Sequence, residues 1–307
     1  MPTKKQPQKP VITKETRNEL EPGLYVVATP IGNLEDLTPR ARRVLEQADA
    51  VLCEDTRRTS ELLSALGLKN SLERLDAHAS EKTIERAVER LQEGQALALV
   101  TDAGTPGVSD PAAALVAQAR AAGITIVPVV GPSAVTALLS VSGFPETAFE
   151  FRGFFPRQKK EQNEEIGLFS ALKRSKVGVW FESPHRISFT FECFAELCPE
   201  AEGVVAKEMT KIHERFFTGR AKDLLEKVKN EIAREGERGE WCFAFFFNAK
   251  EATETDSEKT LSWNRVLELL LESGVSVSES SRAVSQAFGV AKKKVYAEAL
   301  KKSDPRA

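Results

Sequence analysis

The stretch Ala96-Leu97-Ala98-Leu99-Val100, followed by Thr101-Asp102-Ala103-Gly104-Thr105-Pro106-Gly107, decides the architecture of this chain. Its apolar run is too short for an independent helix and has no polar alternation, which is the pattern of a strand buried on both faces. Gly104, Pro106 and Gly107 then end it in a tight turn. A strand covered on both faces needs helices on both sides, the arrangement of a mostly parallel sheet in an α/β fold.

Working outward, the same alternation repeats. Upstream, Ile84, Ala87, Val88 and Leu91 fall on one helix face. Ala50–Cys53 reads as a strand and Ser60–Leu66 as a short helix closed by Gly67. Thr38 and Pro39 open a helix as N-cap and first helical residue, and Leu24–Thr29 is a strand ending in Pro-Ile-Gly-Asn. Downstream, Asp110-Pro111 caps a helix, Ile124–Val130 is a strand, and Pro132-Ser133 starts another helix. Residues 23–144 thus predict an N-terminal α/β domain.

Residues 145–248 predict a second α/β domain. Its strand candidates are Phe149–Phe155, Val177–Glu182, Gly203–Met209, Ile212–Thr218 and Trp241–Phe247. Helices are expected over Gln158–Lys173, His185–Leu197 and Ala221–Glu235. The pair of strands around Lys211 reads as a hairpin, so this sheet is mixed. Residues 249–260 are polar and read as a linker, and residues 1–22 as a basic disordered tail. Residues 261–307 hold three short helical patterns, Leu261–Glu272, Ser278–Phe288 and Ala291–Lys301. Gly289 and Val295 suit a helix-turn-helix; a helical packing or dimerisation appendage fits equally well.

The chain has 307 residues, 41% hydrophobic and 29% charged, with a net charge of −2, which excludes a disordered or collagen-like chain and a bulk polyanion binder. No apolar run reaches the roughly 18 residues a membrane span needs, and the N-terminus lacks the apolar core of a signal peptide, so a cytoplasmic location is expected. Cys53, Cys193, Cys198 and Cys242, with scattered His78, His185 and His213, have no metal-site spacing. No metal is expected.

No two glycines are separated by a single residue, so a G-x-G-x-x-G fingerprint is absent, as are the P-loop and nucleophile-elbow motifs. What remains are four strand-end turns, at 29–34, 54–57, 101–110 and 130–133. Ligands of open α/β sheets bind at such positions. Glycine and proline let the backbone pass close to a ligand, and free turn carbonyls suit a cationic centre such as a sulfonium.

The strings Tyr-Val-Val-Ala-Thr-Pro-Ile-Gly-Asn-Leu-Glu-Asp-Leu-Thr-Pro-Arg-Ala (25–41), Glu-Asp-Thr-Arg-Arg-Thr (54–59), Asp-Ala-Gly-Thr-Pro-Gly-Val-Ser-Asp-Pro (102–111), Gly-Pro-Ser-Ala (131–134) and Glu-Ser-Pro-His-Arg (182–186) closely resemble the ribosomal RNA small subunit methyltransferase I family of the tetrapyrrole methylase superfamily. The resemblance covers about residues 23–302. It implies two α/β domains of tetrapyrrole methylase type with a small helical C-terminal appendage, a cofactor cleft between the domains, and a homodimer. It also implies S-adenosyl-L-methionine-dependent 2′-O-methylation of a cytidine ribose in the decoding region of 16S rRNA, free or within the 30S subunit. The cofactor is then expected against Pro30-Ile31-Gly32, Asp102-Ala103-Gly104-Thr105 and Gly131-Pro132-Ser133, with Phe181 and Ser183 closing from the second domain. Two departures stand out: Ser80 in His78-Ala79-Ser80-Glu81 occupies a position where the family usually has Asn, and Arg238-Gly239-Glu240 one where it usually has Lys-Gly-Glu.

A ribose hydroxyl is a poor nucleophile and needs a proton acceptor. Glu54, Asp55 and His185 are the leading candidates, with His78 and Glu182 behind them. Arg57 is read as holding the reacting nucleotide and Arg58 as a phosphate contact; a plain ion pair with Glu54 and Asp55 is the alternative. Arg157, Lys159, Lys160, Arg186 and the cluster beginning Lys292-Lys293 are further RNA-binding candidates. Phe151, Phe154 and Phe155 beside them can stack an unpaired base or simply fill the core. Two other functions compete: methylation of a small tetrapyrrole-like substrate, and ligand sensing by a nucleic-acid-binding regulator. The basic helical end argues against the first and the elaborate strand-end turns against the second.

Overall fold

The computed structural model describes residues 19–76, 80–107, 112–146, 148–170, 174–248 and 263–303. Residues 19–170 and 176–247 belong to one compact unit, and 263–303 to a second. No helix among the described residues is long and apolar enough to cross a membrane.

The first half of the larger unit runs β1 (Gly23–Val27), α1 (Pro39–Gln47), β2 (Ala50–Cys53), α2 (Thr56–Ala65), β3 (Leu72–Arg74), α3 (Glu81–Gln92), β4 (Ala96–Leu99), α4 (Ala112–Ala121), β5 (Ile126–Val129) and α5 (Ala134–Ser140). The strands form one parallel sheet in the order β3-β2-β4-β1-β5. Alternate residues serve opposite faces. Tyr25, Val27, Val51 and Cys53 pack with Val44, Leu45 and Leu63 of α1 and α2, while Leu24, Leu52, Leu97 and Leu99 pack with Leu91 and Leu115 of α3 and α4. Both faces are covered, as the continuous apolar strands require.

Thr38 caps α1 through its side chain, with Pro39 at the first helical position. α2 begins four residues earlier than its apolar pattern suggests, because Asp55 caps it by accepting the Arg57 amide. The short edge strand β3 carries too few apolar residues to be legible in the sequence. The expected cap at 110–111 lies outside the described residues.

The second half runs β6 (Phe149–Phe154), α6 (Lys159–Ser170), β7 (Lys176–Glu182), α7 (Ile187–Leu197), β8 (Glu202–Lys207), β9 (Arg215–Arg220), α8 (Ala221–Glu235) and β10 (Trp241–Phe247). The sheet order is β6-β7-β10-β8-β9; β6 and β7 are parallel, and the other neighbours antiparallel. The hairpin around Lys211 is the β8–β9 pair, shorter at both inner ends than the sequence suggests.

One face of this sheet is an aromatic core in which Phe155, Trp180, Phe191, Phe194, Phe243 and Phe245 are almost wholly buried. Burial of each such ring contributes about 1.5–3 kcal/mol. Its polar partner is Glu165, which takes the Trp180 indole N–H at 2.9 Å and the Arg152 guanidinium at 2.8 and 2.9 Å. The other face, with Val179, Val204 and Ala244, packs on Val135 and Leu138 of α5. So α5, which lies in the N-terminal domain by sequence, fastens the two sheets together.

The second unit contains α9 (Trp263–Glu272), α10 (Val277–Phe288) and α11 (Lys292–Ser303). Leu267, Val284, Val295 and Ala299 form its core. Gly289 ends α10 at φ +66°, a left-handed position that favours glycine. Val295 is buried, and Lys292 and Lys293 are exposed.

Candidate active site

β1 and β4 are neighbours, yet the chain leaves them in opposite directions across the sheet, from β1 toward β2 and from β4 toward β5. Such a switch point opens a crevice at the strands' carboxyl ends. A cleft of about 440 Å³ lies there, lined by Ile31, Arg58, Asp102, Gly104, Thr105 and Ser133 from the first half. Phe154, Phe181, Ser183, Met209, Glu240 and Trp241 line it from the second.

Backbone pairing fixes the crevice walls. Thr29 and Gly104 form an isolated antiparallel bridge, and the Thr29 hydroxyl donates to the Thr101 carbonyl at 3.2 Å. The Thr105 hydroxyl donates to the Pro132 carbonyl at 2.9 Å. Several turn carbonyls expected to be free for a ligand therefore hold the turns to one another. Gly104 adopts φ +82°, where a side chain is strained.

The other glycines have different reasons. A Cβ at Gly32 would lie 2.4 Å from Lys211 Cγ and 2.9 Å from the Met209 carbonyl oxygen, so this glycine admits the 209–211 turn of the second half. A Cβ at Gly131 would lie 2.9 Å from that of Ala28. Neither Gly32 nor Gly131 lines the cleft, and the same is true of Pro30 and Pro132. These four shape the turns that carry lining residues, whereas Asp102, Gly104, Thr105, Ser133, Phe181 and Ser183 face the cleft themselves.

Asp102 lines the cleft with both carboxylate oxygens engaged. One oxygen accepts the Asp55 backbone N–H at 3.2 Å and the other pairs with Arg58 at 3.2 Å. Glu182 is fully buried and satisfied by the Ser183 N–H at 2.6 Å, the Thr190 hydroxyl at 2.7 Å and the Arg186 guanidinium. Glu240 is bound to Lys211 at 3.0 Å.

None of Glu54, Asp55 and His185 lines the cleft. Glu54 is one contact behind it, accepting from the Thr101 hydroxyl at 3.4 Å. Asp55 caps α2 and grips Arg57 at 2.8 Å; hydrogen bonding from the Arg57 side chain and backbone holds its carboxyl down at about 2. His185 is 73% exposed and pairs with Glu237 at 2.7 Å. His78 lies outside the described residues.

The basic candidates also separate. Arg58 lines the cleft, while Arg57 points to solvent at 86% exposure. Arg186 is a structural clip, bound to Glu182 and to the Phe155 carbonyl at 3.1 Å. Lys159 is paired with Glu196 at 2.8 Å, and Arg157 is exposed. Sequence reading missed Met209, Glu240 and Trp241 as cleft residues. They stand at the ends of strands it did find, the one signal available.

A family model described as tetrapyrrole (corrin/porphyrin) methylases matches residues 23–225. A ribosomal RNA small subunit methyltransferase I of Xylella fastidiosa is 38% identical over 278 residues, 89% of this chain and 97% of that protein. The protein of the same name from Thermotoga maritima is 43% identical over 202 residues, covering 66% of this chain and 90% of its own. The crystal structure of uroporphyrin-III-C-methyltransferase from Thermus thermophilus has a TM-score of 0.51 at 23% identity, covering 72% of this chain and 93% of that one, a likeness of fold alone. The chain belongs to the tetrapyrrole methylase family and, within it, to the ribosomal RNA small subunit methyltransferase I proteins.

Proposed function

We propose that this protein is an S-adenosyl-L-methionine-dependent methyltransferase acting on the 2′-oxygen of a cytidine ribose in the decoding region of small-subunit rRNA. The observation that carries the reading is the switch-point cleft in a chain that matches small-subunit rRNA methyltransferases over about nine-tenths of its length.

The cleft suits the cofactor. Its volume is in the range of small-molecule sites. Ile31, Ala103, Ala134, Met209 and Trp241 give it apolar walls. Gly104, Thr105, Ser133 and Ser183 are the residues to hold it. When bound, the cofactor supplies an electrophilic methyl group on a sulfonium.

The chain's own task is to orient the ribose hydroxyl and take its proton. Asp102 is assigned as acceptor in preference to Glu54, Asp55 and His185, because it faces the cleft with its carboxylate already fixed by Arg58 and the Asp55 amide. Arg58 also brings positive charge to the cleft wall, where an incoming phosphate can meet it. Lys292 and Lys293 add basic contacts on the second unit. A homodimer and a cytoplasmic location belong to the same reading. Labelled-cofactor transfer to 30S subunits, free 16S rRNA and duplex DNA tests it. Label is expected in rRNA on a cytidine 2′-oxygen, and transfer to none of the RNA substrates would refute it. Light scattering tests the dimer.

A further inference from the structure

β6 breaks its alternation at one place. Phe151 is opposite Val179 and Phe154 opposite Phe181, so three steps along β6 match two along β7. The irregularity falls at Arg152-Gly153, and Gly153 has φ +72°, a conformation that favours glycine. In an unbroken strand Phe151 and Phe154 would point to opposite faces. The bulge brings both to one face, where each meets Phe181 edge-on, with ring centroids 4.9 and 5.8 Å apart.

The consequence divides the three phenylalanines. Phe155 goes to the opposite face and is 1% exposed among Trp180, Phe194 and Phe243. Phe151 is half-buried against the α5 side of the sheet. Phe154 is left 60% exposed on the cleft wall, its ring propped by Phe181. The backbone distortion thus serves to place an aromatic face in solvent beside the cleft.

We propose that Phe154 is the platform on which the target nucleobase stacks when its ribose enters the cleft. This rests on the rRNA reading above. Unpaired bases are gripped by aromatic faces together with cations, and Arg58 lines the same cleft. The cofactor does not need this ring, since Ile31, Met209 and the 2%-exposed Trp241 supply sheltered apolar wall.

The test compares Phe154→Ala, Phe154→Leu and Phe154→Tyr in the full chain. The readouts are melting temperature, cofactor Kd by calorimetry, and kcat/KM for 30S subunits at saturating cofactor. Alanine and leucine are expected to lower kcat/KM by about ten-fold or more, the scale of a lost base–aromatic stack, while tyrosine stays within about two-fold of wild type. Melting temperature and cofactor Kd should stay unchanged in all three. Wild-type kcat/KM in the alanine variant, or leucine performing as well as tyrosine, would overturn the stack while leaving the rRNA reading standing. A parallel loss of cofactor affinity would reassign Phe154 to the cofactor. A wild-type chain inactive on rRNA and 30S subunits would overturn both.

Discussion

Thr29 and Gly104 exchange both backbone hydrogen bonds, at 2.9 and 3.1 Å, across the gap between the loops that leave β1 and β4. These two loops depart toward opposite sides of the sheet, so nothing in the sheet ladder holds them together beyond the strand ends. The bridge does, and it needs Gly104 at φ +82°.

Gly104→Ala should therefore cost about 1–2 kcal/mol of stability through backbone strain alone. Its Cβ, 3.4 Å from Ile31 Cγ2 on the cleft wall, should also weaken cofactor binding. Gly104→Asn separates the two effects, because asparagine tolerates the left-handed region. Thermal melts should show stability partly recovered, and calorimetry should show binding still impaired.

Gly32→Ala tests packing without backbone strain. Its Cβ would collide with Lys211 Cγ, the Thr210 hydroxyl and the Met209 carbonyl, and overpacking of this kind costs about 1–3 kcal/mol. Adding Lys211→Ala removes one of the colliding atoms. A double-mutant cycle should give a favourable coupling of about 0.5 kcal/mol or more, while additive losses would mean that the Thr210 hydroxyl and the Met209 carbonyl set the cost.

The two adjacent arginines should behave differently, in the reverse of the sequence expectation. Arg57 points outward from its pair with Asp55, so Arg57→Ala should make the log–log salt dependence of RNA binding shallower by about 0.7, the value of one single-stranded phosphate contact. Arg58 fixes Asp102 inside the cleft, so Arg58→Ala should reduce turnover more than affinity. Salt titrations and single-turnover rates on the same RNA distinguish them.

Glu165 links fold stability to pH. Burial acts to raise its pKa, but hydrogen bonds from Arg152 and Trp180 and the Arg152 charge outweigh it and leave the carboxyl below its ordinary value. A depressed folded-state pKa gives stability above the unfolded carboxylate pKa and loses it as pH falls through the folded value. Glu165→Gln should cost about 1–3 kcal/mol at neutral pH, reduced from a fully buried pair because the Arg152 side chain is 36% exposed. The gap between wild type and variant in denaturant melts should narrow below about pH 4.

Lys292→Glu with Lys293→Glu reverses two exposed charges on α11. Cofactor affinity should stay unchanged and 30S methylation should fall, with the loss growing at low salt, where phosphate repulsion is least screened. Equal activity of variant and wild type on 30S subunits would remove these lysines from the substrate grip.

What the sequence determined by itself is local and repetitive. Ala96–Val100 reads as a doubly covered strand because every side chain is apolar, Thr38-Pro39 starts α1 because capping is local chemistry, and the strand-end strings such as 54–59 and 102–111 carry the family resemblance. Asp55 shows the limit of such reading: beside Arg57 it looks like a catalytic acid, yet it is the N-cap of α2. Only the tertiary structure decided which strand ends meet. Met209, Glu240 and Trp241 reach the cleft because β8 and β10 are neighbours in the second sheet and α5 fastens that sheet to the first. It also decided which candidates stand behind or beside the cleft lining: Gly32 packs against the 209–211 turn, Arg186 clips Glu182 and His185 pairs with Glu237 at the surface. Phe154 faces the cleft because a one-residue slip against β7 turns it there, and strand pairing lies beyond the reach of local periodicity.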